Sequence, residues 1–169
     1  MIDKSASVIQ QKRQEYKVIV SRYMNDGVRK DEDAFHQISI DVPRTSPSET
    51  LFREPRLREA LLRVLYCCSI RRPASGYVQG MNDLATPLFD VFLREYEEKS
   101  SDMGNEVQSF IKVDSEAWMN IEADVYWCLA KLLDRVQDNF TFNQAGLYKQ
   151  IALLKEIVQR ADGTHLKFV

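Results

Sequence analysis

Two short polar segments carry side chains with more chemistry than a connector needs. The first is Ile38-x-x-Asp41-x-x-Arg44. A carboxylate three residues ahead of a guanidinium can reach it and hold its planar fork in one orientation. The second is Gly76-Tyr77-Val78-Gln79-Gly80-Met81-Asn82-Asp83. Here two glycines bracket a glutamine whose amide can donate and accept at once, and residues without a side chain permit close backbone approach by another molecule. Each residue also has an ordinary reading. An isolated Asp41–Arg44 pair is commonly a surface ion pair worth little. Gln79 alone is commonly a solvated loop residue, Tyr77 a packed aromatic, and Asn82 or Asp83 a helix cap. The two segments gain weight together, in this order and with a helix between them.

The rest of the chain narrows what chemistry these segments could serve. Among 169 residues the net charge is -2, so no basic excess points to nucleic acid or anionic lipid. The hydrophobic share of 44% and charged share of 28% are those of an ordinary globular domain with a real core. No apolar run approaches the roughly 20 residues of a membrane span, and the N-terminus Met1-Ile-Asp-Lys-Ser5 has no apolar core of a signal peptide. Cys67, Cys68 and Cys128 lack metal spacing and fit a reducing compartment as small buried hydrophobes. His36 and His165 stand far apart, so no metal site is expected. Phosphate-binding glycine loops and the Gly-x-Ser-x-Gly elbow are absent. No nucleotide pocket, and no cofactor, is expected of the chain itself.

The elements that must position the two segments read as helices. Glycine is scarce, and apolar residues recur at three and four. Ser7 is placed to cap a first helix with Val8, Tyr16, Ile19, Val20 and Tyr23 on its apolar face and Gly27 at its end; residues 1–7 then read as a leader or linker. Asp31 to Phe35 suits a short helical turn, and Ile38 to Ser48 is expected to be non-helical because Pro43 and Pro47 bias the residues before them toward extended geometry. Pro55 suits the first turn of the next helix, with Leu57, Ala60, Leu61, Val64, Leu65 and Cys68 down one face and a stop before Pro73. A helix from about Asn82 to Tyr96 follows, in which Pro87 is tolerable near the first turn. Residues 97–116 read as a surface insertion. Asn120 is a candidate cap for a helix from Ile121 to about Val136, and a last helix spans Gly146 to Ala161 with Leu147, Ile151, Leu154, Ile157 and Val158 on one face and Gly163 as its stop. No alternation persists long enough for a sheet. The expected class is all-α.

Ile38-x-x-Asp41-x-x-Arg44 followed by Tyr77-x-Gln79 resembles the second and third signature motifs of the TBC domain, the GTPase-activating domain that acts on Rab GTPases. The resemblance extends through His36 to Thr45, through Arg72 to Pro87, and into Asn120 to Cys128 and Asp134 to Phe140, and its wording is that of the Golgi-associated subgroup. It covers the chain from about Ser7 onward and implies that residues 8–169 form the N-terminal, multi-helix part of such a domain. The family's first motif, Arg-x-x-x-Trp, is absent, since neither Trp118 nor Trp127 has an arginine four residues before it. The chain is therefore expected to start just after that motif and to stop before the family's C-terminal helices.

The resemblance implies a GTPase activator rather than an enzyme with its own substrate pocket. Its partner would be a GTP-bound Rab, which brings the GTP and magnesium. Arg44 would be an arginine finger and Gln79 a glutamine finger that positions the attacking water. Asp41 would orient Arg44, Tyr77 would brace the second loop, and Gly76 and Gly80 would let it lie close to the partner; Thr45 and Asn82 fall within the matched segments as supporting residues. Location would be cytoplasmic, or peripheral on Golgi or other endomembranes. Two other readings compete: a helical module that binds a GTPase or another protein without speeding hydrolysis, and a helical scaffold with an exposed groove.

Overall fold

Pro55 has no N–H to leave unsatisfied, so it starts a helix at no cost, and the apolar residues behind it recur at three and four. The computed structural model of the chain, which describes residues 4–24, 31–46, 50–100, 113–140 and 145–161, builds its core around that helix. We number the α-helices α1 (Lys4–Met24), α2 (Glu32–Asp41), α3 (Pro55–Ile70), α4 (Met81–Ser100), α5 (Ser115–Phe140) and α6 (Ala145–Ala161), with two short 3-10 turns at Val42–Arg44 and Thr50–Arg53. Among the described residues there is no strand, and the all-α expectation holds.

Backbone contacts divide the chain into two units, Met1–Lys131 and Leu132–Val169. In the first, α3 is the central element and packs against α1, α2, α4 and both 3-10 turns. Leu57, Ala60, Leu61, Val64, Leu65 and Cys68 are all buried, as the stripe requires, and Tyr66, Cys67 and Ser69 are buried as well. A helix hydrophobic on most sides is one surrounded by others. Tyr16, Ile19 and Val20 from α1, Ile38 from α2, Ala85, Phe89 and Leu93 from α4, and Val125 and Leu129 from α5 complete the core. In the second unit, α6 starts one residue before the expected Gly146 and ends at the expected Ala161, and its Leu147, Ile151, Leu154 and Ile157 are exposed.

Several boundaries differ from the sequence reading. Helix α1 begins at Lys4, so Ser7 lies inside it rather than capping it, and Val8 is exposed. Helix α2 runs on to Asp41, capped at its start by Asp31, whose side chain accepts from the Ala34 N–H. The non-helical reading of residues 38–41 gave too much weight to Pro43. That ring sits at the start of a 3-10 turn, where its missing donor is harmless, and Val42 before it remains right-handed helical at φ -55°. Burial of Ile38 outweighs the local bias. Pro87 lies beyond the first turn of α4. Asn120 is interior to α5; the cap is Asp114, which accepts from the N–H groups of Glu116 at 2.9 Å and Ala117 at 2.8 Å. Of the expected insertion at 97–116, the first four residues end α4, residues 101–112 lie outside those described, and α5 has begun by Ser115. Gly27 and Gly163 also lie outside the described residues.

Candidate functional site

Helix α2 ends where Pro43 forces a tighter turn, and this hands Arg44 to the surface. Its side chain is 66% exposed. The guanidinium Nε donates to the Ile40 carbonyl at 3.1 Å, in the last turn of α2. One Nη lies 3.6 Å from Asp41 Oδ1, an ion pair too long for a hydrogen bond. The sequence suggested that Asp41 grips the fork of Arg44. In the structure the grip is loose and single-pointed, and most of the fork faces solvent.

Asp41 is spent elsewhere. Its side chain is only 6% exposed, and its Oδ2 accepts from the Tyr77 hydroxyl at 3.0 Å. Burial pushes the Tyr77 phenol well above its ordinary pKa, and the hydrogen bond to Asp41 and that carboxylate's charge push it further the same way. The phenol therefore stays protonated and remains the donor. This bond ties the residue three before Arg44 to the residue two before Gln79.

The second segment is a loop between α3 and α4 with two left-handed glycines. Gly76 has φ +61° and its N–H donates to the Arg72 carbonyl at 2.7 Å. Gly80 has φ +97°, and around it the Met81 N–H closes on the Val78 carbonyl at 3.1 Å. A four-residue turn with positive φ at its third position is a type II pattern, for which glycine is favoured. Gln79 occupies the second position, at the apex, and is exposed. A Cβ placed on either glycine meets nothing within 4 Å, so their requirement is backbone conformation and not crowding within the chain. The base of the loop is held by Arg72, whose Nη2 donates to the Ala130 carbonyl at 2.7 Å.

Thr45 and Asn82 join the two segments beneath the exposed pair. Both are buried. The Asn82 Nδ2 donates to Thr45 Oγ1 at 3.0 Å, and Thr45 Oγ1 donates to the Asp41 carbonyl at 3.1 Å. The Asn82 Oδ1 accepts from the Gly80 N–H at 3.2 Å. By sequence Asn82 is a candidate cap of α4, but its side chain reaches back to the turn and across to the other segment. All eight residues picked from the sequence therefore lie on one connected structure: Arg44 and Gln79 exposed, and Asp41, Thr45, Tyr77, Asn82, Gly76 and Gly80 forming the frame under them.

One cluster was not foreseen. Glu122 of α5 is fully buried and accepts from Arg63 Nε at 2.9 Å, Arg63 Nη2 at 2.7 Å and the Tyr16 hydroxyl at 2.6 Å. It locks α1, α3 and α5 together. The signal was present in the sequence, since Glu122 stands three before Val125 and seven before Leu129, on the apolar stripe of its helix. A carboxylate on such a stripe must find a partner in the core. Among the described residues no group of three or more metal-ligating side chains is assembled, and no helix is long and apolar enough to cross a membrane.

The sequence and the fold are similar to those of known proteins. Residues 2–167 match the family model described as Rab-GTPase-TBC domain. The chain is 44% identical over 164 residues to TBC1 domain family member 22A of Mus musculus, covering 95% of this chain and 31% of that protein. It is 41% identical over 156 residues to GTPase-activating protein GYP1 of Saccharomyces cerevisiae, covering 91% of this chain and 24% of that one. Its fold is similar to the crystal structure of the Ypt/Rab-GAP domain of Gyp1p, with a TM-score of 0.79 and 37% identity, covering 94% of this chain and 49% of that chain. The chain thus spans about a third or less of the length of these curated relatives.

Proposed function

The chain belongs to the Rab-GTPase-TBC domain family, and on that premise we propose that it supplies the two-finger face of an activator that speeds GTP hydrolysis on a Rab-family GTPase. The observation that carries this reading is the pairing of one exposed guanidinium and one exposed amide on a single buried hydrogen-bonded frame. A small GTPase hydrolyses slowly because charge that shifts onto the transferring phosphoryl group and the leaving oxygen is not neutralised. Arg44 would place its largely solvent-facing fork against those oxygens, and such a finger is worth roughly 10³ to 10⁵ in rate. Gln79, at the apex of its turn, would accept a proton-bearing contact from the attacking water while donating to a phosphate oxygen, so that the water is aligned without a strong base. Gly80, at φ +97°, lets the chain turn directly after Gln79.

Asp41 supports this in two ways. Its carboxylate is drawn toward Tyr77, so it biases Arg44 electrostatically without occupying the fork. Its backbone carbonyl anchors Thr45, next to Arg44. GTP and magnesium would be brought by the partner. Action from the cytoplasmic face of Golgi or other endomembranes follows from the same family reading.

The test is phosphate release from a panel of GTP-loaded Rabs with the full-length protein. Release above the intrinsic rate for at least one Rab is expected, and it should fall about 100-fold or more in Gln79→Ala. Binding without any acceleration across the panel would replace the activator with a non-catalytic binding module.

A further inference from the structure

We propose that Asn82 is a positioning residue that fixes the distance between Arg44 and Gln79, by holding the Gly80 backbone N–H with one end of its amide and the Thr45 hydroxyl with the other. The inference rests on the two-finger reading. Gly80 follows Gln79 directly, and its N–H is taken by Asn82 Oδ1 at 3.2 Å. Thr45 follows Arg44 directly, and its hydroxyl is taken by Asn82 Nδ2 at 3.0 Å. The amide's orientation is not ambiguous. A backbone N–H can only donate, so the oxygen must face Gly80 and the nitrogen must face Thr45. The nitrogen's other hydrogen reaches Asp83 Oδ1 at 3.2 Å, so the amide is fully engaged. Thr45 in turn passes the restraint to the Asp41 carbonyl at the end of α2.

Few other side chains could do this. A carboxylate lacks the donor, so it could hold Thr45 only by drawing the hydroxyl hydrogen off the Asp41 carbonyl, and an apolar residue lacks both groups. Burial of Asn82 and Thr45 keeps water from competing for either bond. The Tyr77–Asp41 bond also spans the two segments, but it attaches farther along the chain from each finger. The chemistry sets the need: two groups on separate loops must meet one phosphoryl transition state, and misplacement by about 1 Å costs on the order of 100-fold.

The experiment is single-turnover GTP hydrolysis on a Rab that the full-length wild-type protein stimulates, resolved into the rate at saturating activator and the concentration giving half the effect. Thr45→Val keeps shape and removes the hydroxyl. Asn82→Asp keeps the acceptor for Gly80 and removes the donor toward Thr45. Each is expected to lower the saturating rate about 10- to 100-fold, with the half-effect concentration within about threefold of wild type, while Thr45→Ser stays within about threefold on both. Three results overturn the proposal: wild-type saturating rates in Thr45→Val and Asn82→Asp, a loss confined to the half-effect concentration, or a loss in Thr45→Val that Thr45→Ser shares. The underlying reading is scored separately by Arg44→Ala in the same assay. A wild-type rate there removes the two-finger mechanism itself, whereas an inactive Arg44→Ala beside an active Thr45→Val removes only the spacing role.

Discussion

The same three side chains, an arginine, a carboxylate and a tyrosine, are assembled twice in this chain to opposite ends. In the core, Glu122 is 0% exposed and Arg63 grips it through Nε and Nη2 while Tyr16 completes the carboxylate's shell. At the surface, Asp41 is similarly buried and bonded to Tyr77, yet its arginine stays outside and touches it at 3.6 Å through one nitrogen. The Arg63 side chain is 22% exposed, against 66% for Arg44. The difference lies in which arginine donors are used up. Arg63 spends its fork on the fold. Arg44 spends only Nε on a backbone carbonyl, and most of its fork faces solvent. Bidentate capacity that is left unused inside a chain is what recognition of an outside anion needs.

The comparison can be broken from either side. The largest effect expected on stability is in the core cluster. Glu122→Ala leaves the Arg63 guanidinium partly buried with only the exposed Glu59 at 3.9 Å and should cost about 3–5 kcal/mol, read as a drop in the denaturant midpoint at unchanged slope. A change below about 1 kcal/mol would mean that the cluster is not what holds the three helices. Tyr77→Phe removes one hydrogen bond to a carboxylate and leaves Asp41 with less support. About 1–2 kcal/mol of stability and a fall of several-fold in saturating hydrolysis rate are expected, and no change in either would separate the frame from the fingers. Arg44→Ala should be the mildest on the fold, within about 0.5 kcal/mol, because an exposed pair of this length contributes little. A loss of stability as large as that of Glu122→Ala would show that the two arginines do the same job.

How legible this was in the sequence depended on whether local and tertiary demands agreed. Around α3 they did: Pro55, the stripe from Leu57 to Cys68 and Pro73 all indicated one helix, and the structure agrees. At the end of α2 they did not. Pro43 and Pro47 argued for extended chain, while burial of Ile38 and the 3-10 turn kept the segment helical and gave Arg44 its place at a helix end. Gly76 and Gly80 were legible as residues that permit close approach by another molecule, whereas their left-handed backbone, at φ +61° and +97°, came only from the structure. The partners of Thr45 and Asn82 were not legible, because nothing in spacing tells that residues 37 apart share a hydrogen bond. Glu122 was readable in principle as a charge on an apolar stripe, but its partners on α1 and α3 come only from the packing.

The distinction between a spent and an available arginine is tested most directly by Arg44→Lys. Lysine keeps the positive charge at the same turn and loses the planar fork. Single-turnover GTP hydrolysis on a responsive Rab should fall about 100-fold or more at saturating activator, in a protein whose denaturant midpoint matches wild type. A rate that stays near wild type would contradict the account, since charge alone would then suffice and Arg44 would not act as a finger.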